Sequence, residues 1–274
     1  MTVPRLPLLL SLAVALAAPA TAAADPAGHV TASSGPVTAT LTWQAGGKVG
    51  GVTSPHLTIV RSGVTVLDQA ISNSDCSACS FMSGVSSRTT PLTVTDLDGD
   101  GEPEVLVDTY SGGAHCCYSD LIYRFANGTY THINQLWGDV GATIKDLDAN
   151  GTPELVTVAD VFAYAFASYA DSWLPPLVER YSAGTLTDVT SNFPAVVKAD
   201  AKRILKQLPS ARRQHRDLRG LVAAYVADQD TLGAKATGVA FLAKERKNHD
   251  LGSDKRAKAF EKALAKFLKK YGYT

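Results

Sequence analysis

The chain has 274 residues, 45% of them hydrophobic and 19% charged, with 26 Lys/Arg balanced by 26 Asp/Glu. Beyond its first residues no apolar run approaches the ~20 residues of a membrane-spanning helix, which excludes an internal span of that kind. The zero balance hides a division: residues 25–194 carry 18 Asp/Glu against 6 Lys/Arg, and residues 195–274 carry 19 Lys/Arg against 8 Asp/Glu. Two units with different partners, or attracted to each other, are expected from that asymmetry.

The chain opens with Arg5, an apolar run from Leu8 to Ala18, and Ala22-Ala23-Ala24. This is the pattern of a secretory signal peptide over 1–24, so the mature chain is expected to be secreted, outside the cell or at its envelope. About 250 residues then remain, enough for one large domain or two smaller ones. A composition shift from Gly/Thr/Val-rich to Ala/Lys/Leu-rich places the boundary at 193/194, giving a β unit over 25–193 and a basic helical unit over 194–274.

From Thr38 the pattern is short alternating segments: 38–43, 57–60, 64–67, 92–95, 104–110 and 121–125. Arg61-Ser62-Gly63 and Ala126-Asn127-Gly128 read as hairpin turns. LIYRFANGTYTHI at 121–133 matches LVERYSAGTLTDV at 177–189 in register, an offset of 56. DLDGDGEPE at 96–104 matches DLDANGTPE at 146–154, an offset of 50. A recurring unit of this length with about four strands is of propeller-blade size. LTIVRSGVTVL at 57–67 reads as a degenerate earlier copy without an acidic loop. The fold class expected is α+β, with blade-like antiparallel repeats followed by helices. Two clear units and one degenerate one are too few for a closed propeller, which leaves open an incomplete one, a small sheet stack, or closure by self-association.

In the first acidic loop Asp96, Asp98 and Asp100 hold positions 1, 3 and 5, Gly101 permits the turn, Glu102 offers its carbonyl at 7, and Glu104 adds a carboxylate at 9. Such hard oxygens suit calcium. The second loop repeats this with Asp146, Asp148, Asn150, Thr152 and Glu154; Asn150 removes one charge, so weaker binding is expected there. Neither is an EF-hand, because position 12 is Val107 or Thr157 and a strand follows. A strand–acidic loop–strand arrangement with a carboxylate at position 9 resembles the calcium loops of FG-GAP/VCBS-type repeats of integrin-like propellers, over about 92–190. The resemblance implies two structural calcium ions, with Glu104 and Glu154 departing from the Asp common at position 9.

Cys76, Cys79, Cys116 and Cys117 make an even set in an exported chain, so bridges between the two segments are expected. A soft-metal site with His115, or a redox pair, are the competing readings. The segment 160–177 holds five aromatics and is expected to pack in the core, with sugar binding as the alternative. Helices are expected over 195–208, 210–230, 232–248 and 254–271, with Pro209 as a helix end and Ser253 or Asp254 as an N-cap.

The chain has no HExxH, no GxSxG and no Ser/His/Asp signature, so no catalytic residue is assigned and an enzyme is the lesser reading. The first expectation is a calcium-stabilised binding or adhesion module. Its ligand would be a polysaccharide, an anionic cell-wall polymer or a protein, with no nucleic acid. The alternatives are a secreted hydrolase with its site near Gly112–Cys117 and the aromatic segment, and an envelope structural or inhibitory protein acting through the helices.

Overall fold

Alternation of apolar residues at every second position yields three four-stranded sheets, each a simple antiparallel meander. The computed structural model describes residues 28–45, 52–71, 90–113 and 116–273. The first sheet holds β1 (Gly28–Ser34), β2 (Val37–Ala45), β3 (Val52–Arg61) and β4 (Val64–Ala70). The second holds β5 (Leu92–Thr95), β6 (Glu104–Gly113), β7 (Cys116–Ala126) and β8 (Thr129–Gly138). The third holds β9 (Thr143–Lys145), β10 (Glu154–Val158), β11 (Pro176–Ser182) and β12 (Thr185–Asp188).

The middle sheet is covered on both faces, which explains why β6 and β7 read as near-continuous apolar runs. Val105, Val107, Leu121 and Tyr123 share a core with Val37, Leu41, Leu57 and Ile59 of the first sheet. Their neighbours Leu106 and Ile122 turn the other way and pack with Leu155 and Tyr181 of the third. The expected repeat is thus a real structural unit. In the second and third sheets the acidic loop joins strands one and two, and the matched hairpin joins strands three and four. In the first sheet the β3–β4 hairpin is the degenerate copy, and Gly35 occupies the turn where an acidic loop would stand. All three hairpins use the same turn, with positive φ at Ser62 and Gly63, Asn127 and Gly128, Ala183 and Gly184. That is the type I′ geometry, whose twist matches the strands. Among the described residues each sheet is open, and they show no closed propeller.

Four helices follow: α1 (Pro194–Arg213), α2 (Arg219–Thr231), α3 (Lys235–Lys247) and α4 (Asp254–Lys270). One expectation is overturned. Pro209 does not end a helix but lies inside α1, and the break falls at 214–218 instead. Leu208 and Ala211 on either side are both buried, so packing outweighs the backbone hydrogen bond that proline forfeits. Ser253 is the N-cap of α4, its hydroxyl accepting from the Arg256 N–H.

The aromatic segment joins the two units as core, as expected. Phe162 meets Phe267 edge-on at 4.8 Å and Tyr273 at 5.5 Å, and Phe166 meets Phe260 at 5.4 Å. Trp173 donates its indole N–H to Asp200 of α1 at 2.9 Å. Helix α2 crosses this segment so closely that a Cβ on Gly220 would lie 2.1 Å from the Asp171 carbonyl oxygen. Alanine is the better helix former by ~1 kcal/mol, yet the clash is with backbone that cannot swing aside. We therefore expect Gly220→Ala to destabilise the protein by about 1–3 kcal/mol in urea melts. A neutral or stabilising substitution would contradict this crossing.

Candidate metal centre

The two acidic loops fold alike because their backbone N–H groups are spent on their own side chains. In the first loop Asp96 accepts from Gly99 N at 2.7 Å and Gly101 N at 2.9 Å, and Asp100 accepts from Glu102 N at 2.8 Å. In the second, Asp146 accepts from Asn150 N at 3.1 Å and Gly151 N at 2.9 Å, and Asn150 accepts from Thr152 N at 2.7 Å. The glutamate at position 9 begins the next strand, where Glu104 and Glu154 are buried. Each accepts from the backbone at position 2: Leu97 N to Glu104 and Leu147 N to Glu154, both at 3.0 Å. Register thus aims one carboxylate inward at the base of each loop.

The result is convergence. One oxygen from each of Asp96, Asp98 and Glu104 lies within 4.8 Å of the others, and the same holds for Asp146, Asp148 and Glu154. Oxygens around one calcium at 2.3–2.6 Å can be no more than about 5 Å apart, so both triads are of the right size. In the first loop Asp98 Oδ1 is buried with no hydrogen-bond donor. Burial first, and then the charges of Asp98, Asp100 and Asp96, push Glu104 up to about 8 against the pull of the Leu97 N–H. An orphaned buried oxygen beside a carboxyl held away from its charged form fits a site built around a cation.

The second loop is differently balanced. The guanidinium of Arg180 on β11 pairs with Glu154 and lies 3.5 Å from Asp148. The Gly151 N–H is the largest influence holding Asp146 below the usual carboxylate range. Ala149 takes φ 58° where the first loop has Gly99, a conformation that costs a non-glycine residue about 1–2 kcal/mol. An ion there must compete with Arg180. In the first loop the equivalent Arg124 stands off at 3.9 Å from Asp100.

Both loops sit where sheets meet. Arg61 of the first sheet donates to Glu102 through Nε at 2.9 Å while its guanidinium lies over Phe125 of the second. Ala183 N, in the third sheet's hairpin, donates to Asp98 Oδ2 at 2.9 Å. Thr152 of the second loop lies against Gly99 of the first, within 2.7 Å of where a Cβ would stand. The first loop therefore touches all three sheets.

No family model matches the chain. It is 33% identical over 148 residues to a "probable thylakoid lumen protein" of Synechocystis sp., a match covering 52% of this chain and 44% of that protein. It is 28% identical over 141 residues to an uncharacterized protein of Sinorhizobium fredii, covering 50% of this chain and 21% of that protein. The chain therefore spans less than half the length of these curated relatives. A solved structure of a Xanthomonas protein related to type IV secretion systems aligns at 14% identity over 62% of this chain and 97% of that one, at a TM-score of 0.21 that carries no argument.

Of the ten residues expected at the loops, the structure brings six carboxylates together as two triads. Asp100 and Asn150 brace the turns, Glu102 turns its carboxylate to Arg61, and Thr152 packs against the neighbouring loop. Arg124 and Arg180 are the site residues that sequence reasoning missed, although both stand at the same register of the matched hairpins. Cys117 is disulfide-bonded. Cys76, Cys79, His115 and the leader at 1–24 lie outside the described residues. No described helix is long and apolar enough to cross a membrane.

Proposed function

We propose that the protein is an exported β-repeat module whose two acidic loops bind calcium, and that these ions clamp a stack of sheets that serves binding or adhesion. The observation that carries this reading is the pair of matching triads, Asp96/Asp98/Glu104 and Asp146/Asp148/Glu154, each with one buried glutamate. Those residues would hold the ion; calcium supplies a hard divalent charge that replaces mutual carboxylate repulsion with shared coordination. The FG-GAP/VCBS-type resemblance supports the same role for the loops. Export is supported by the signal-peptide pattern and by the lumenal assignment in the name of the Synechocystis relative.

The binding role is favoured over catalysis because the paired carboxylates are committed to loop architecture. Glu104 and Glu154 each accept a backbone N–H and are buried at the base of their loops, a placement that suits bracing an ion more than meeting a substrate. Bridges linking Cys76 and Cys79 to Cys116 and Cys117 belong to the same reading, as second ties beside the first loop.

A melting experiment on the mature chain tests it. Calcium at 10 mM should raise the melting temperature over that in chelator, and magnesium should do so less, since magnesium demands a smaller octahedral shell. At dissociation constants of about 10⁻⁴–10⁻³ M, each site contributes about 1.4–2.7 kcal/mol at that concentration. Equal melting in calcium and chelator would sink the proposal.

A further inference from the structure

The helical unit divides its cations into two populations. Five of its seven arginines are consumed internally, Arg213 and Arg256 being the exceptions among the described residues: Arg203 pairs with Asp200, Arg212 with Glu245 and Asp250, Arg219 with Asp217, and Arg246 with Asp254 and Glu261. Arg216 reaches back to Asp171 of the aromatic segment. The two remaining acids, Asp228 and Asp230, lie within α2, with Asp228 fully buried. The eight acidic residues of this unit are thereby used up, and the lysines are left over.

Those lysines are not scattered. Lys255, Lys258, Lys262, Lys266 and Lys269 on α4 recur at three and four residues and are all exposed. They form a single row opposite the buried row of Ala257, Phe260, Leu264 and Leu268. Only Lys258 has an acidic partner among the described residues, Asp254 at 2.9 Å. At 1.5 Å per residue the row is about 21 Å long, with a charge every ~4.5–6 Å.

We propose that this row is a docking strip for a linear polyanion. Three observations choose that occupant. The strip is one residue wide, which suits a chain more than a plane. The apolar face of α4 is packed into the bundle, so the helix has none of the exposed Phe or Leu that an interfacial membrane helix inserts. The acidic unit of a second copy offers no matching row: its accessible carboxylates Asp98, Asp100, Asp146 and Asp148 gather in two compact loops, each triad within 4.8 Å, and not along a line of about 21 Å. Glu104, Asp108, Asp120 and Glu154 are buried, and Glu102 and Asp171 are paired with Arg61 and Arg216. Lysine is suited to the task as a compact point charge with rotatable donors that follows irregular anion spacing.

The test uses the mature chain with long-chain inorganic polyphosphate as probe, and polygalacturonate to separate phosphate from carboxylate chains. Binding to at least one is expected, weakening between 50 and 200 mM salt with a log–log slope of about −3.5 for five neutralised charges. The triple variant Lys262→Glu/Lys266→Glu/Lys269→Glu should bind at least tenfold more weakly while melting as the parent does, because all three side chains are exposed. The triple variant Lys198→Glu/Lys202→Glu/Lys206→Glu on α1 makes the same charge change and should lose less than threefold. Equal loss in both would reduce the strip to diffuse net charge and overturn the proposal. So would binding to vesicles containing phosphatidylglycerol without binding to either polymer. Self-association in sedimentation that the α4 variant abolishes, without polymer binding, would assign the row to a second copy and equally overturn it.

Discussion

Glu104→Gln should raise the melting temperature in chelator and abolish the first loop's share of the calcium response. The two effects have opposite signs because the residue has two roles. Without an ion, Glu104 is buried beneath Asp96, Asp98 and Asp100, whose charges oppose its own. Glutamine keeps an oxygen for the Leu97 N–H, a bond of 3.0 Å in the parent, and is neutral there without having to take up the proton that burial and repulsion force on Glu104. With calcium present the same substitution removes a charged ligand, and about 1.4–2.7 kcal/mol of ion-dependent stability at 10 mM disappears from that site. Melting curves of the variant with and without calcium check both arms together. A variant less stable in chelator, yet with the full calcium response, would mean that Glu104 is a structural hydrogen-bond acceptor and no ligand.

Asp228→Asn should stabilise the protein at neutral pH and flatten its stability between pH 4 and 9. Asp228 is buried on α2 beside Asp200, which Trp173 and Arg203 already engage. Burial, then the Asp200 charge, pushes Asp228 up to about 9, with Arg203 opposing. Neither of its oxygens has a hydrogen-bond partner among the described residues, so the buried group is held as the neutral acid. The native state therefore holds a proton that the unfolded chain, with an aspartate near 3.9, releases. Stability from this group is fully present below the unfolded value and falls by about 1.4 kcal/mol per pH unit as pH rises towards 9. Tyr225 and Tyr273, which burial holds above the usual phenol range, add to the loss only at still higher pH. Asparagine fills the same space without titrating, so the variant should melt several degrees higher at pH 7 and lose the slope. Unchanged melting with the slope intact would contradict this account of the pair.

The β architecture was legible because hairpins and acidic loops carry their geometry in short words. Asn127-Gly128 and Ala183-Gly184 sit at one register of matched segments, and DLDGDG and DLDANG name their own turns. The degenerate copy was recoverable from Ser62-Gly63 alone. What escaped was whatever depends on neighbours distant in sequence. β1 lies ahead of the first expected strand at Thr38 and is defined by its full-length pairing with β2. Pro209 reads as a stop because local rules are blind to the packing of Leu208 and Ala211. Arg180 belongs to the second loop only because β11 lies beside β10, a pairing that 17 intervening residues conceal. Asp228 was hidden for the opposite reason, as one acid in LVAAYVADQD, a stretch buried on every side.

Calcium titration calorimetry on the chelator-stripped mature chain tests the central claim most directly. Two ions per chain are expected, the tighter lost in Asp96→Asn/Asp98→Asn and the weaker in Asp146→Asn/Asp148→Asn. The weaker site should tighten in Arg180→Ala, which removes the guanidinium that competes for Glu154. No binding, or binding that survives both pairs of substitutions, would contradict the assignment of the loops.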